Sequence, residues 1–100
     1  MKQFLITYRF TNGSEEAWHQ EINRFIAAID SDPELHGKIS YTALKSSKGP
    51  EYYHLAVPVD EEATKLLGSK DFFKHYTEQT ELVSGGSVEV IPLEVVAATK

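Results

Sequence analysis

The segment KISYTALKSSKGPEYYHLAVPV, residues 38–59, contains two alternating stretches joined by a polar loop. Residues 38–46 and 51–59 both alternate with a period of two, which is typical of β-strands. Residues 46–50, SSKGP, contain the Gly-Pro pair and serines that are common in turns. The segment therefore predicts a β-hairpin in the middle of the chain.

Each predicted hairpin strand presents two faces. In the first strand, Ile39, Tyr41 and Ala43 alternate with Ser40, Thr42 and Leu44. In the second strand, Tyr53, Leu55, Val57 and Val59 alternate with Tyr52, His54, Ala56 and Pro58. We assign the faces that carry Tyr41 and Tyr53 to the side that helices cover.

The chain before the hairpin predicts one strand and one helix. Residues 3–10 alternate, with Tyr8 on the face that we assign to the helices. Residues 15–30 switch to helical spacing, and their apolar stripe consists of Trp18, Ile22, Phe25, Ile26 and Ile29. Asn12 or Ser14 is the expected N-cap, and Pro33 ends the helix.

The chain after the hairpin predicts a helical region and a last strand. Helix formation starts at Asp60, Gly68 interrupts the apolar stripe, and Ser69 is the expected cap of a second piece over residues 70–79. Residues 87–97 are rich in valine and isoleucine on both faces. The order β-α-β-β-α-β predicts one ferredoxin-like α+β domain over residues 1–100, a four-stranded antiparallel sheet with two helices on one face.

Composition limits the classes of function. The 100 residues carry a net charge of −5, and basic residues never occur in a run, which argues against nucleic acid and anionic membranes as partners. Cysteine is absent, so disulfides and thiolate metal sites are excluded. The N-terminal apolar stretch is too short for a signal peptide, and no stretch is long enough to span a membrane. We therefore expect a soluble, cytoplasmic protein.

The sheet face away from the helices is predicted to be mixed rather than charged. A half-apolar open face is often covered by a partner, and soluble oligomers are mostly symmetric. We therefore favour a homodimer whose sheets pack together. The alternative is a partly exposed face of ordinary strand-forming residues.

The element order, the sequence YRF at residues 8–10 and a second helical region built around SKDFFKHY, residues 69–76, resemble the dimeric α+β-barrel superfamily, in the style of antibiotic biosynthesis monooxygenase-like domains. The resemblance covers nearly the whole chain. It implies two protomers that pair their sheets into a barrel with the helices outside. Some members of this superfamily oxidise aromatic polyketides without a cofactor, some degrade haem, and many have no known activity.

The resemblance also implies positions for site residues. In the oxidising relatives a pocket lies between sheet and helices, with a polar residue near the end of the first strand and a histidine on the second helix. Tyr8 and His75 match these positions and are the candidate catalytic residues. A tryptophan that often follows the third strand is absent here, and the one tryptophan is Trp18 in the first helix.

The residues themselves suggest further candidates. A helical wheel places His75 on the flank of the face formed by Phe72, Phe73 and Tyr76, at a predicted pocket mouth or at an ordinary boundary. His54 is either a proton carrier in a pocket or a hydrogen-bonded interface residue. The candidate ligand-binding residues are Tyr8, Tyr41, Tyr53, His54, Phe72 and Tyr76.

Three hypotheses of function remain open at this point. The favoured one is a homodimer that binds a small, partly aromatic molecule between sheet and helices. The others are a cofactor-independent monooxygenase that acts on an aromatic or quinone-type substrate and a structural or interaction dimer without a ligand. No cofactor and no metal are expected, because the four histidines lack ligand-like spacing.

Overall fold

The computed structural model describes residues 2–99. The central hairpin forms in it as the alternation predicts. The strands and helices are β1 (Lys2–Arg9), α1 (Glu15–Ser31), β2 (Ile39–Lys45), β3 (Glu51–Pro58), α2 (Glu61–Ser69), α3 (Asp71–Ser84) and β4 (Glu89–Glu94). The four strands form one antiparallel sheet in the order β2-β3-β1-β4. This is the ferredoxin-like α+β arrangement that the sequence predicts, and that prediction is confirmed.

Helix α1 begins and ends where its sequence dictates. The Ser14 side chain accepts a hydrogen bond from the backbone N–H of Ala17, so Ser14 rather than Asn12 is the N-cap. The helix ends at Ser31, and the next residue, Asp32, is in the extended conformation that a residue before proline prefers. The buried side of the helix consists of Trp18, Ile22, Phe25 and Ile29.

The second helical region is two separate helices. Ser69 does not cap α3, because its hydroxyl donates back to the Leu66 carbonyl and Lys70 occupies the cap position without a side-chain bond. The sequence-based cap at Ser69 is therefore wrong. Helix α3 also continues beyond the predicted end at residue 79 and stops at Ser84, where Gly85 adopts the left-handed conformation with φ of 63°.

The prediction that Tyr53 faces the helices is wrong. In the antiparallel register, Tyr8 lies opposite Tyr52, and Thr7 lies opposite Tyr53. Tyr52 and His54 therefore point toward the helices and are 2% and 1% exposed, whereas Tyr53 points away and is 38% exposed. Both faces of β3 are rich in apolar side chains, so the alternation alone could not identify the covered face.

The outer face of the sheet, which we define by the side chains of Leu5, Leu44, Tyr53, Leu55, Ile91 and Leu93, has no layer over it in the described protomer. Ile91 lies opposite Leu5, and Val90 lies opposite Ile6 on the helix side. The last strand is therefore apolar on both faces, as its sequence predicts. Leu44 is 54% exposed, and Ile91 and Leu93 are both 38% exposed.

The core lies between the helix-facing side of the sheet and α1 and α3. Its buried members include Tyr8, Trp18, Phe25, Tyr52 and Tyr76, which makes it unusually aromatic. Within residues 2–99, no helix has the length and apolar character needed to cross a lipid bilayer.

Candidate functional site

His54 lies at the centre of the buried face of the sheet. It occupies the middle of β3, opposite Ile6 of β1 and Ala43 of β2. Its side chain is 1% exposed. A buried imidazole requires hydrogen-bond partners, and His54 obtains them from residues of three other elements.

The Nε2 side of His54 contacts a short chain of aromatic side chains. The Tyr8 hydroxyl lies 2.8 Å from His54 Nε2. The indole Nε1–H of Trp18 donates to the same Tyr8 oxygen over 2.8 Å. The first strand and the first helix are therefore joined to His54 through one buried phenol.

The Nδ1 side of His54 contacts two further phenols. The Tyr41 hydroxyl lies 2.7 Å from Nδ1 and the Tyr76 hydroxyl lies 3.1 Å from it. The two phenol oxygens are 3.4 Å apart. We call the five side chains of Tyr8, Trp18, Tyr41, His54 and Tyr76 the His54 network.

Aromatic rings stack closely around the network. The ring of Tyr76 lies between two others, with its centroid 3.8 Å from Phe25 and 5.7 Å from Trp18, both nearly parallel. Tyr8 stacks on Tyr52 with centroids 5.3 Å apart. Such contacts add to the burial energy of the rings, so the hydroxyl groups are preorganised by packing.

A cavity of about 390 Å³ lies beside the network, between the sheet and the helices α2 and α3. Its walls are mainly apolar and include Phe4, Ile6, Ala56, Leu67, Phe73 and Val88. Tyr41, His54 and Tyr76 border the same space, and we call them its polar edge. Thr64, Thr77 and Thr80 border it too, but their hydroxyls donate to backbone carbonyl groups. Apolar walls with a few convergent polar groups are typical of small-molecule sites.

Burial keeps the network uncharged. Desolvation lowers the pKa of His54 from 6.5 to about 4, so its imidazole is neutral at pH 7. Desolvation likewise raises the pKa of Tyr41 to about 12 and raises the pKa of Tyr8 and of Tyr76 even further. All three phenols therefore keep their protons at pH 7, and the polar edge of the cavity offers neutral groups.

The structure brings together four of the residues predicted from the sequence. Tyr41, His54 and Tyr76 border the cavity, and Tyr8 lies behind His54 as its Nε2 partner. Phe72 instead packs against Phe25, with centroids 6.0 Å apart, and it is Phe73 that reaches the cavity wall.

His75 does not lie at the mouth of the cavity. Its side chain is 60% exposed, and its Nε2 lies 3.5 Å from Glu21 Oε1 on α1. The helical wheel placed His75 correctly on the flank of α3, but that flank faces α1 rather than the cavity. Tyr53 is likewise excluded from the cavity, because it lies on the outer face of the sheet.

Sequence reasoning missed the role of Trp18 in the network. The helical stripe predicted its burial correctly, but the bond from its indole N–H to Tyr8 depends on how α1 packs on β1. The described part of the chain holds no cluster of three or more His, Asp or Glu side chains that could bind a metal ion.

Comparison with known proteins shows similarity in structure only. No protein-family profile matches the chain, and no curated protein matches its sequence. Three of the similar solved structures match nearly the whole chain. A mutant of SnoaB, a cofactor-independent oxygenase from Streptomyces nogalater, is 17% identical with a TM-score of 0.78, covering 97% of this chain and 94% of that one.

The second structure is an antibiotic biosynthesis monooxygenase that is 10% identical with a TM-score of 0.79, covering 97% of this chain and 100% of that one. The third is Rv0793 from Mycobacterium tuberculosis, 13% identical with a TM-score of 0.79, covering 99% of this chain and 98% of that one. The resemblance noted in the sequence is thereby confirmed. The chain has the fold of these antibiotic biosynthesis monooxygenase-like structures.

Proposed function

We propose that this protein binds a small, partly aromatic molecule in the cavity between its sheet and helices. The observation that carries the proposal is a cavity of about 390 Å³ with apolar walls and a polar edge of Tyr41, His54 and Tyr76. Ligand pockets in proteins start at about 300 Å³, so this space suits a molecule of two or three fused rings. Phe4, Phe73 and Tyr76 supply aromatic surface against which a flat molecule can pack.

The functional unit in this proposal is a homodimer that buries the outer face of the sheet. Leu44, Tyr53, Ile91 and Leu93 are large apolar side chains that a protomer alone leaves exposed. Exposed apolar patches of this kind commonly mark protein interfaces. The dimer leaves the cavity within each protomer, because the cavity lies on the opposite side of the sheet.

A second candidate function is oxidation of an aromatic substrate by oxygen without a cofactor. The observation that favours it is the similarity in fold to SnoaB, which is described as a cofactor-independent oxygenase. In this case the network would bind the substrate, and a proton acceptor such as neutral His54 would help to form a carbanion that reduces oxygen. Fold similarity is weak support for a shared reaction, so binding is the primary proposal.

The binding proposal is tested by titrating ¹⁵N-labelled protein with naphthalene and with 1,4-naphthoquinone while amide chemical shifts are recorded. We expect saturable shifts at residues around the cavity, such as Ala56 and Thr80. The absence of cysteine removes thiol arylation by the quinone as a complication. No shift with either probe would refute the proposal and leave the purely structural dimer as the better hypothesis.

A matched pair of substitutions makes this test specific. Ala56 borders the cavity, whereas Ala27 is exposed on α1. Ala56→Leu should weaken binding of both probes by about tenfold or more by filling the space, and Ala27→Leu should leave it unchanged. Equal effects of the two variants would place the binding site elsewhere. Oxygen uptake with a bound aromatic substrate, measured separately, decides between simple binding and oxidation.

A further inference from the structure

The N–H and O–H donors of the His54 network cannot all find acceptors within the network. Its five members carry one proton each: the indole N–H of Trp18, three phenol O–H groups and one imidazole N–H, since His54 is neutral. The indole N–H of Trp18 donates to the Tyr8 oxygen and is thereby satisfied. The position of the His54 proton decides which of the remaining donors has no acceptor.

A proton on Nε2 would leave the Tyr8 hydroxyl without an acceptor. In that tautomer Tyr8 would accept from both Trp18 and His54, and its own proton would have no acceptor, because Tyr8 contacts no other polar group in residues 2–99. Tyr8 is 3% exposed and does not border the cavity, so water cannot serve it. An unsatisfied buried donor is costly.

A proton on Nδ1 satisfies the buried end of the network. Tyr8 then donates to the free lone pair of Nε2 over 2.8 Å. Nδ1–H donates to Tyr41 or Tyr76, at 2.7 and 3.1 Å. One of these phenols can donate to the other over 3.4 Å, which leaves a single phenol O–H without an acceptor.

The surplus O–H lies at the cavity, because Tyr41 and Tyr76 both border it. A ligand oxygen with a free lone pair is the partner that it lacks. The one charged side chain among the described residues around the cavity is the carboxylate of Glu81. That negative charge and the absence of a cation from the described wall disfavour an anionic ligand.

We propose that Tyr8 fixes His54 as the Nδ1–H tautomer, so that the cavity presents a single hydrogen-bond donor from Tyr41 or Tyr76 and takes a neutral molecule with an acceptor oxygen, such as a ketone or quinone carbonyl. This inference rests on the proposed function, because it names the class of ligand for the same cavity. Tyr8 is a positioning residue in this account. The basic lone pair of His54 points at Tyr8 and away from the ligand.

The tautomer is measured directly by ¹⁵N chemical shifts of the imidazole in uniformly labelled protein at pH 7. We expect Nδ1 of His54 at the shift of a protonated nitrogen and Nε2 at the shift of an unprotonated one. In Tyr8→Phe the donor to Nε2 is lost. Nε2 should stay unprotonated, because the variant offers no acceptor to an Nε2–H, and its shift should move to that of an unprotonated nitrogen without a hydrogen bond. Tyr52→Phe is the matched control, because the Tyr52 hydroxyl contacts His19 outside the network.

An Nε2–H ring in the wild-type protein would overturn the proposal. An Nε2 shift that is the same in Tyr8→Phe as in the wild type would overturn the role of Tyr8 as the donor to Nε2. The same shift in Tyr52→Phe as in Tyr8→Phe would show a general packing effect and also contradict that role.

The ligand class is measured with three probes of similar shape: naphthalene, 1,4-naphthoquinone and 1-naphthoate. The quinone should bind at least about fivefold more tightly than naphthalene, the ratio that one net hydrogen bond contributes, and 1-naphthoate should bind most weakly.

These outcomes separate the inference from the proposed function. If naphthalene binds as tightly as the quinone, or if 1-naphthoate binds most tightly, the cavity remains a binding site. Either result would overturn the inference that a free phenol O–H selects a neutral ligand with an acceptor oxygen. Failure of all three probes would refute the binding function itself.

Discussion

The two faces of the sheet have similar apolar content in sequence, but the helices cover one face and leave the other exposed. The helix-facing side carries Tyr8, Tyr41 and His54, and each of these polar groups has a buried partner. The outer face carries Leu44, Tyr53, Ile91 and Leu93, which remain exposed. Polar atoms embedded among aromatic rings thus mark the face with the site, while unpaired apolar side chains mark the face suited to another protomer.

The largest effect is expected from His54→Ala, on the helix-facing side of the sheet. The substitution removes the acceptor of Tyr8 and the partner of Tyr41 and Tyr76, and buried polar groups without partners are expensive. We expect the free energy of unfolding to fall by about 3–5 kcal/mol. Thr42→Ala, on the exposed side of the sheet, should cost less than about 1 kcal/mol. Urea unfolding measures both, and a comparable loss in the two variants would contradict the contrast.

The second prediction concerns pH. His54 has a folded pKa of about 4 against an ordinary value of 6.5. Below pH 6.5 the unfolded chain gains a proton on this residue that the folded protein does not, so stability falls from pH 6.5 to about pH 4 and is independent of His54 above that window. Each pKa unit corresponds to about 1.4 kcal/mol, so the full effect is roughly 3 kcal/mol.

His54→Gln should lose this part of the pH dependence, as measured by urea unfolding at pH 4.5 and pH 7. The lowered pKa of Asp32, whose carboxyl is hydrogen-bonded to the Glu34 amide and paired with Lys70, acts below its ordinary value of 3.8 and remains in the variant. An equal loss of stability at pH 4.5 in the wild type and the variant would contradict the buried neutral state of His54.

The third prediction concerns the outer face of the sheet. We expect a dimer at micromolar concentration by sedimentation velocity, and Ile91→Glu should weaken it by about 100-fold because the carboxylate would be buried in an apolar interface. Leu82→Glu is the control, since Leu82 is exposed on α3 at 60%. A monomeric wild type, or equal weakening by both variants, would refute an interface on this face.

The smallest effect separates two tyrosines of neighbouring strands. Tyr8→Phe removes a hydroxyl that accepts from Trp18 and bonds to His54, and should cost about 2 kcal/mol. Tyr53→Phe removes a hydroxyl on the exposed face and should cost less than about 0.5 kcal/mol. Thermal unfolding at a fixed protein concentration compares them, and the reverse order would contradict the register that places Tyr53 outside.

The fold could be predicted because its signals are local. The apolar stripe of α1 and the alternation of the hairpin are visible in the sequence, and the element order then restricts the topology. The orientation of β3 could not be predicted, because both of its faces suit burial. Only the pairing of Tyr8 with Tyr52, 44 positions apart in the printed sequence, determines it.

The candidate site could be predicted only in part for the same reason. His54 attracts attention as a polar residue in a strand that requires a partner, but its partners come from β1, β2 and α3. His75 attracted attention through its aromatic neighbours in sequence. On a helix, adjacent residues point in different directions, so Tyr76 reaches the site and His75 meets Glu21 instead.

The network also bears on the choice between binding and oxidation. A general base must present a lone pair to the substrate. In the proposed Nδ1–H tautomer, the lone pair of His54 lies on Nε2 and faces Tyr8. The cavity wall also includes the carboxylate of Glu81, which would oppose a developing anion. These two features favour binding of a neutral molecule over formation of a carbanion.

The most direct test of the binding site is a crystal structure of the protein soaked with 1,4-naphthoquinone. We predict density for the quinone between the sheet and α3, with one carbonyl oxygen within about 3 Å of the hydroxyl of Tyr41 or Tyr76. A cavity that is closed by its own side chains, or a quinone bound only on the outer face of the sheet, would contradict the account.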